Sequence, residues 1–372
     1  MKPLRSQAVL LFLALFIVLN ACITTPSLPP TSTAMPGTPI TPALAPTLTP
    51  LPGPSTGGWL EIYFTSPSAP DASSYEGGPD EILAAAIDDA ILSVDAASYS
   101  LNLWSIRDAL IRAHRRGVVV RMIMESDNMD SDEVQDLLEA GIPIVGDQRE
   151  GLMHDKFVII DRSEVWTGSM NFTTNGAYED NNNLLRLRSV QIAENYLTEF
   201  DEMFTGGFFG PAGEADTPFP RLTLDGTPVE IYYSPDDGVA ARIVALVQAA
   251  QESIHFMAYS FTSDDIGGAI RERAQYGLIV SGVMDKGQVA SNQGTEYDPF
   301  RQALLDVRLD GISGLMHHKV IIIDEQIVIT GSYNFSASAE TRNDENVVII
   351  FDPEVAAQYM IEFRRVFGMA QP

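Results

Sequence analysis

From Trp59 onward the chain alternates between a two-residue and a helical hydrophobic rhythm, and it does so twice. Glu61-Ile62-Tyr63-Phe64-Thr65-Ser66-Pro67 reads as a strand ending at a proline turn, and Glu230-Ile231-Tyr232-Tyr233-Ser234-Pro235 repeats it. Helical periodicity follows over Ile82–Val94 and over Ala240–Ser253, leading into strands at Ala97–Leu101 and His255–Ser260. A second helix in each half, Ile106–Arg116 and Ile266–Tyr276, is closed by Gly117 or Gly277, where a helix C-terminus favours glycine. Apolar strands Val118–Met124 and Leu278–Met284 come next, so each half predicts a layered α/β unit.

The repetition sharpens toward the end of each half. Gly151-Leu152-Met153-His154-Asp155-Lys156, followed by Phe157-Val158-Ile159-Ile160-Asp161, is matched by Gly314-Leu315-Met316-His317-His318-Lys319 and Val320-Ile321-Ile322-Ile323-Asp324. Gly168-Ser169-Met170-Asn171 answers Gly331-Ser332-Tyr333-Asn334, each glycine 14 residues beyond its histidine, and Tyr196, Phe200 and Phe204 answer Tyr359, Phe363 and Phe367. The expectation is an α/β protein of two similar α-β-α layered lobes with mixed sheets, residues 58–217 and 218–372, joined near Pro218–Thr227 and related by a pseudo-twofold axis. Such an axis can bring the two His-x-Lys segments face to face.

The first 57 residues follow neither rhythm. Lys2 and Arg5 precede an uncharged run from Gln7 to Ala21, and Leu19-Asn20-Ala21-Cys22 resembles a lipoprotein cleavage box, so residues 1–22 read as a lipoprotein-type signal peptide with Cys22 as lipid attachment point. An uncleaved anchor is the alternative, although the run falls short of the roughly 20 residues a spanning helix needs. Residues 23–57 are uncharged and rich in Pro, Thr and Ser, the composition of an extended tether. The expected location is the cell envelope, at the extracytoplasmic face of a membrane.

Composition then narrows the function. Fifty acidic residues against 23 basic ones give a formal charge of −27, which argues against a protein that wraps a nucleic-acid backbone. Losing Lys2 and Arg5 with the signal takes this to −29. A single cysteine excludes a disulfide framework and any cysteine-based zinc cluster within the chain. Only four residues are lysine, and two of them, Lys156 and Lys319, sit two places after matching histidines at the mouths of apolar strands. Buried cations in such places need something specific to satisfy them.

The paired HxKxxxxD followed by GSxN resembles the phospholipase D superfamily, over essentially Trp59–Phe367. The resemblance implies one site that takes a phosphodiester, with catalytic His154, Lys156, Asp161, His317, Lys319 and Asp324, phosphate contacts and support from Ser169, Asn171, Ser332, Asn334 and Glu345, and no metal or cofactor. It also implies that one histidine forms a phosphohistidine while the other protonates the departing alcohol. The residues themselves call for the same chemistry. Ammonium, hydroxyl and amide donors offset the negative charge that a phosphodiester gathers during transfer, and imidazoles suit proton work near neutrality if one is neutral while the other is charged. Asp161 and Asp324, at strand ends, read instead as acceptors that hold the fold.

At 28 residues past each histidine stand Asn182 and Glu345. Since a carboxylate raises an imidazole's pKa and an amide does not, the expectation is a neutral nucleophile His154 and a protonated acid His317 held by Glu345. Asp180 is a second possible carboxylate for the first half. His318 should face away from the site, His255 should be a satisfied core residue, and His114 should suit a helix C-terminus. The expected function is a phospholipid-cleaving phosphodiesterase, monomeric because one chain carries both motifs. An exported nuclease, a cardiolipin-synthase-like phosphatidyl transferase and a degenerate scaffold are the alternatives. Substrate choice is expected in the segments Asp127–Asp136 and Asp285–Pro299.

Overall fold

A computed structural model describes residues 58–69 and 72–371. The export signal, Cys22 and the tether expected over residues 1–57 lie outside the described residues. The first lobe runs β1 (Leu60–Phe64), α1 (Pro79–Asp89), β2 (Ser93–Ser98), α2 (Trp104–Arg115), β3 (Val119–Met124), α3 (Asp132–Glu139), β4 (Ile144–Gly146), β5 (Lys156–Ile160), β6 (Glu164–Gly168), α4 (Thr174–Tyr178), β7 (Asn183–Arg188) and α5 (Val190–Asp201). The second runs β8 (Arg221–Leu224), β9 (Thr227–Ser234), α6 (Val239–Ala249), β10 (Ser253–Ala258), α7 (Asp264–Gln275), β11 (Ile279–Met284), α8 (Lys286–Ser291), α9 (Tyr297–Gln302), β12 (Asp306–Leu309), β13 (Lys319–Ile323), β14 (Ile327–Gly331), α10 (Ala337–Thr341), β15 (Glu345–Phe351) and α11 (Pro353–Met369).

The sheet orders are β1-β7-β6-β5-β2-β3-β4 and β8-β9-β15-β14-β13-β10-β11-β12, the same topology with one extra edge strand, β8, in the second lobe. Both sheets are mixed: β2, β3 and β4, like β10, β11 and β12, run parallel, and the other pairings are antiparallel. Helices α1, α2 and α3 cover one face of the first sheet and α6, α7 and α9 one face of the second. The other two faces share a single core with α5 and α11, in which Leu185, Tyr196, Phe200, Val320, Val348 and Tyr359 are buried together. The strands at the centre, such as Phe157–Ile160 and Val320–Ile323, are covered on both faces, which is why they read as continuous apolar runs.

Two boundaries differ from the sequence expectation. Helix α1 stops at Asp89 and β2 starts at Ser93, whereas periodicity carried the helix to Val94; α6 and β10 differ in the same way. Asp161 is the cause. Its carboxylate accepts hydrogen bonds from the amides of Ile91, Leu92 and Ser93 at 2.6–3.1 Å, holding that stretch out of the helix and leaving Ile91 and Leu92 exposed. Asp324 does the same for Gln251, Glu252 and Ser253. Both aspartates sit in the turns after β5 and β13 with φ of 51° and 53°, a strained region for any residue but glycine, and their three-amide clasps offset that strain. The catalytic place implied for Asp161 and Asp324 is therefore corrected: they lock a turn to the opposite end of the neighbouring strand.

Candidate active site

Each His-x-Lys segment enters its sheet at the lysine, so the histidine lies just before the strand, on backbone that pairs with the other lobe. Met153 bridges Asp344 and Met316 bridges Asn181, with His154 N donating to Asp344 O and His317 N to Asn181 O, both at 3.0 Å. The lobes thus exchange supports. Glu125, after β3, accepts from Met153 N at 2.8 Å, and its counterpart Asp285, after β11, from Met316 N at 3.1 Å.

The exchange reverses one expected pairing. Glu345 does not hold His317; its Oε2 lies 2.7 Å from Nδ1 of His154. His317 Nδ1 instead meets Asn182 Oδ1 at 2.9 Å and the carbonyl of Ser169 at 3.1 Å. The pseudo-twofold lays β15 of the second lobe beside the first histidine, so an equal offset within each repeat becomes a contact across repeats. Asp180 does not supply a second carboxylate either, because its Oδ1 accepts from Leu315 N at 2.8 Å. The oxygens facing each Nδ1 require a donated proton, which leaves both Nε2 atoms with a free lone pair.

Charge is concentrated here. Lys156 and Lys319 are buried and each donates to the carbonyl of its own histidine, Lys319 at 2.7 Å. Each ammonium also lies over a tyrosine ring, Lys156 over Tyr99 at 5.2 Å and Lys319 over Tyr259 at 4.8 Å. The same rings meet His154 and His317 edge-on at 5.0 and 4.6 Å. Burial, and then the two ammoniums, push both imidazoles well below their ordinary 6.5, with each lysine acting on both histidines. Burial lowers Lys156 to about 8 and puts Lys319 well below its usual value. It raises Glu345 to about 7, against the pull of Lys156, Ser332 and Asn343. The site is thus a cationic hole in which imidazolium is disfavoured without an anion beside it.

The serines are corrected as well. Ser169 Oγ donates to Asn182 Oδ1 at 2.8 Å and accepts from Asn183 N, and Ser332 Oγ accepts from Asn346 N at 3.0 Å and binds Glu345. Buried and occupied, they orient the groups that hold the histidines and do not face a phosphate. Asn171 and Asn334 differ: their side-chain oxygens are buried without a partner, so these amides keep hydrogen-bonding capacity the fold does not use. Gly168 and Gly331 of the same motifs adopt φ of 152° and 146°, and a Cβ there would run into the carbonyls of Asn183 and Asn346.

His318 turns away from the site to Glu362 at 3.0 Å, His255 meets Ser281 at 2.8 Å, and His114 lies in the last turn of α2, as expected. Tyr99, Tyr259, Glu125 and Asp285 were not singled out as site residues, although their repetition at matched places in the two halves was a visible signal. The segments expected to select substrate contain α8 and parts of α3 and α9. Among the described residues no group of histidine, cysteine and carboxylate side chains is placed to hold a metal ion, and no helix is long and apolar enough to cross a membrane.

Comparison with known proteins agrees with this geometry. The family described as "Cardiolipin synthase, PLD-like domain" matches residues 83–204 and 243–367, one copy in each lobe. The chain is 36% identical over 137 residues to a phospholipase D of Rickettsia prowazekii, covering 37% of this chain and 66% of that protein. It is 32% identical over 147 residues to the mitochondrial cardiolipin hydrolase of Mus musculus, covering 40% of this chain and 65% of that protein. The matched region therefore spans just under two thirds of these relatives. Among solved structures, phosphatidylserine synthase of Haemophilus influenzae superposes with a TM-score of 0.63 at 13% identity, over 83% of this chain and 87% of that one. At that identity the likeness speaks for the fold alone. With a family match in both lobes and paired motifs converging on one site, the chain belongs to the phospholipase D-like family.

Proposed function

We propose that the protein is a phosphodiesterase of the phospholipase D type, cleaving the headgroup ester of phospholipids through a phosphohistidine. The observation that carries this reading is the pairing of two buried imidazoles, each held at Nδ1 from the opposite lobe, with two buried ammoniums. The names of the relatives, a phospholipase D and a cardiolipin hydrolase, support a lipid substrate.

His154 is the nucleophile and His317 the acid, for a reason opposite to the one the sequence suggested. When Nε2 of His154 attacks phosphorus, a P–N bond forms, the P–O bond to the headgroup breaks, and the imidazole becomes cationic. Glu345 faces that developing charge at 2.7 Å. His317 has only neutral oxygens at Nδ1, so its imidazolium is the less stabilised and gives up its proton more readily to the leaving oxygen. The bound phosphodiester anion offsets the two lysines and so permits His317 to be charged at the start. In the second half, neutral His317 takes a proton from water, whose oxygen attacks phosphorus and releases His154. Lys156 and Lys319, with the free amides of Asn171 and Asn334, offset the charge on the non-bridging oxygens. The charge stabilisation comes from side chains, so activity should survive chelation.

We further propose export and tethering through Cys22, with one chain forming a complete site. Export and tethering rest on the sequence of residues 1–57 and would bring the enzyme beside a lipid surface, while the complete site rests on the two motifs carried by one chain. The test offers the purified protein phosphatidylcholine and single-stranded DNA in parallel, both in EDTA. Release of choline without DNA cleavage supports the proposal; DNA cleavage alone overturns it in favour of a nuclease.

A further inference from the structure

Outside the catalytic centre the first lobe carries a cavity of about 530 Å³ lined by Tyr75, Trp104 and Tyr178 and by Asp80, Glu81 and Glu133. No lysine or arginine lines it. Its walls continue the segments that frame the site: residues 102–105 follow Tyr99 by three residues, and 174–178 follow Asn171 by the same interval. We propose that this cavity binds an organic cation of the quaternary-ammonium class.

The aromatic walls are positioned by the rest of the cavity. Trp104 Nε1 donates to Glu133 at 2.9 Å, which fixes an indole that is otherwise 68% exposed. Tyr75 packs edge-on against Tyr178 with centroids 5.6 Å apart, and its hydroxyl reaches Glu179 at 3.1 Å. An exposed aromatic held in place, with no apolar cover, presents a π face to whatever enters. Arg107 already lies against the same indole, 5.7 Å from its centroid, with its own charge paired to Asp108 and Asp136.

The carboxylates add the electrostatic half. Asp80 is buried at 2% exposure, its Oδ2 accepting from Ser105 and its carboxylate also taking the Tyr178 hydroxyl. Burial, and then the hydrogen bond to the Asp80 carboxylate, push the Tyr178 phenol far above its usual value, so that ring stays neutral. The N-termini of α1 and α2 also point here. Each is worth about half a positive charge, which three carboxylates outweigh. A small, hard cation would need converging oxygens, and none converge among the described residues. A soft cation wrapped in methyl groups uses aromatic faces and diffuse negative charge together.

Two sources have that chemistry: a free quaternary amine, or the choline headgroup of a lipid held at the rim of the site. The second deepens the phosphodiesterase reading and rests on it; binding itself does not. The test titrates the full chain with choline and with its uncharged isostere 3,3-dimethylbutan-1-ol, reading tryptophan emission and heat. Trp59 and Trp166 are buried, so Trp104 is the indole a solute can reach. The expected result is a saturable change with choline, at least about tenfold weaker binding of the isostere, and a comparable loss in Trp104→Ala and in Glu133→Gln. Absence of a saturable change, equal binding of the isostere, or full binding by Trp104→Ala overturns the proposal. Where choline binds, the ratio of kcat/KM on phosphatidylcholine to that on phosphatidylglycerol assigns the source. A fall in Trp104→Ala means a lipid headgroup, and an unchanged ratio means a free amine. Because binding is read without turnover, failure of the phosphodiesterase reading leaves it measurable.

Discussion

The two halves of the site share a backbone plan and differ in the side chains behind it. Four matched residues pass across the lobe boundary from each side: Asp180, Asn181, Asn182 and Asn183 from the first lobe, and Asn343, Asp344, Glu345 and Asn346 from the second. The outer pairs do the same work. Asp180 and Asn343 both accept a backbone amide of the opposite lobe, from Leu315 and Leu152, and Asn183 and Asn346 both tie the lobes together, to Thr330 and Tyr359 and to Thr167 and Asp155. The position that touches imidazole differs, carboxylate behind His154 and amide behind His317. Duplication thus supplies a symmetric pair of imidazoles and ammoniums, and one substitution at the axis gives the two imidazoles different partners, the difference on which the proposed roles rest.

A second difference lies one residue on, at Asp155 and His318. His318 faces Glu362, which also binds Arg365, and Arg365 reaches Asn181 at 2.7 Å. Although burial works against it, Glu362 stays below the usual carboxylate range because His318 and Arg365 hold it. The matching Glu199 has no such partners and is pushed well above that range by burial and by Asp155 and Asp344. Asp155 itself is raised to about 7, with Asn346 as its one hydrogen-bond donor. The second lobe backs its strand with a compensated ionic network, and the first with carboxyls whose pKa burial raises.

These contrasts can be broken one at a time. The largest effect is expected from His154→Ala or His317→Ala, each lowering kcat by about 10⁴ or more with folding unchanged by circular dichroism, since each removes a reacting group. Full activity in either variant would refute the site. Lys156→Gln and Lys319→Gln should each cost about 10²–10³ in kcat, the range for losing one charged donor at a transition state. Equal losses are expected if both ammoniums serve one phosphate, as proposed.

A smaller effect sharpens the asymmetry. Glu345→Gln should lower kcat by about 10-fold to 100-fold and remove an acid limb from the kcat/KM profile. The free enzyme's Glu345 titrates near 7, and protonation below that pH cancels the charge that stabilises phosphohistidine. Asn182→Asp should be milder, raising the pKa of His317 and weakening it as an acid. A parent profile without a limb near neutrality, or a limb that persists in Glu345→Gln, would argue against this role.

Stability gives a gentler test. Asp155 has a folded pKa near 7, above the roughly 3.9 of an unfolded aspartate, so its contribution is fully present below about pH 4 and declines as pH rises toward 7. Asp155→Asn removes that decline while keeping an acceptor for Asn346. The difference in Tm, variant minus parent, should therefore grow between pH 4 and 7, and a difference independent of pH would contradict the assignment. Least affected should be the activity of Asp161→Asn, within about twofold of the parent, while stability falls by about 1–3 kcal/mol as amide clasps are lost. A large loss of kcat at full folding would restore Asp161 to the chemistry.

Much of this was visible before the structure. Repeated periodicity specified both sheets, because strands covered on two faces must be continuous runs of Val, Ile and Phe. The spacing of His, Lys, Gly and Asn located the site, because a rare cation at a strand mouth has few structural uses. What the sequence could not carry was anything that crosses the axis. The offset of 28 residues from His317 to Glu345 is a distance along one repeat, and the contact runs to the other. Hydroxyls facing inward and outward look alike in a Gly-Ser pair, so only packing reveals that Ser169 and Ser332 serve their neighbours. Helix periodicity through Ile91 and Leu92 likewise misled, because the carboxylate that accepts their amides belongs to Asp161, 70 residues from Ile91.

The central claim is that the carboxylate crosses the axis to make His154 the nucleophile. Mixing the parent protein with short-chain phosphatidylcholine, quenching in neutral detergent within the first turnover and sequencing the modified peptide by mass spectrometry without acid reads it directly. A phosphatidyl group is expected on the peptide that carries His154; the same group on His317 would contradict the assignment.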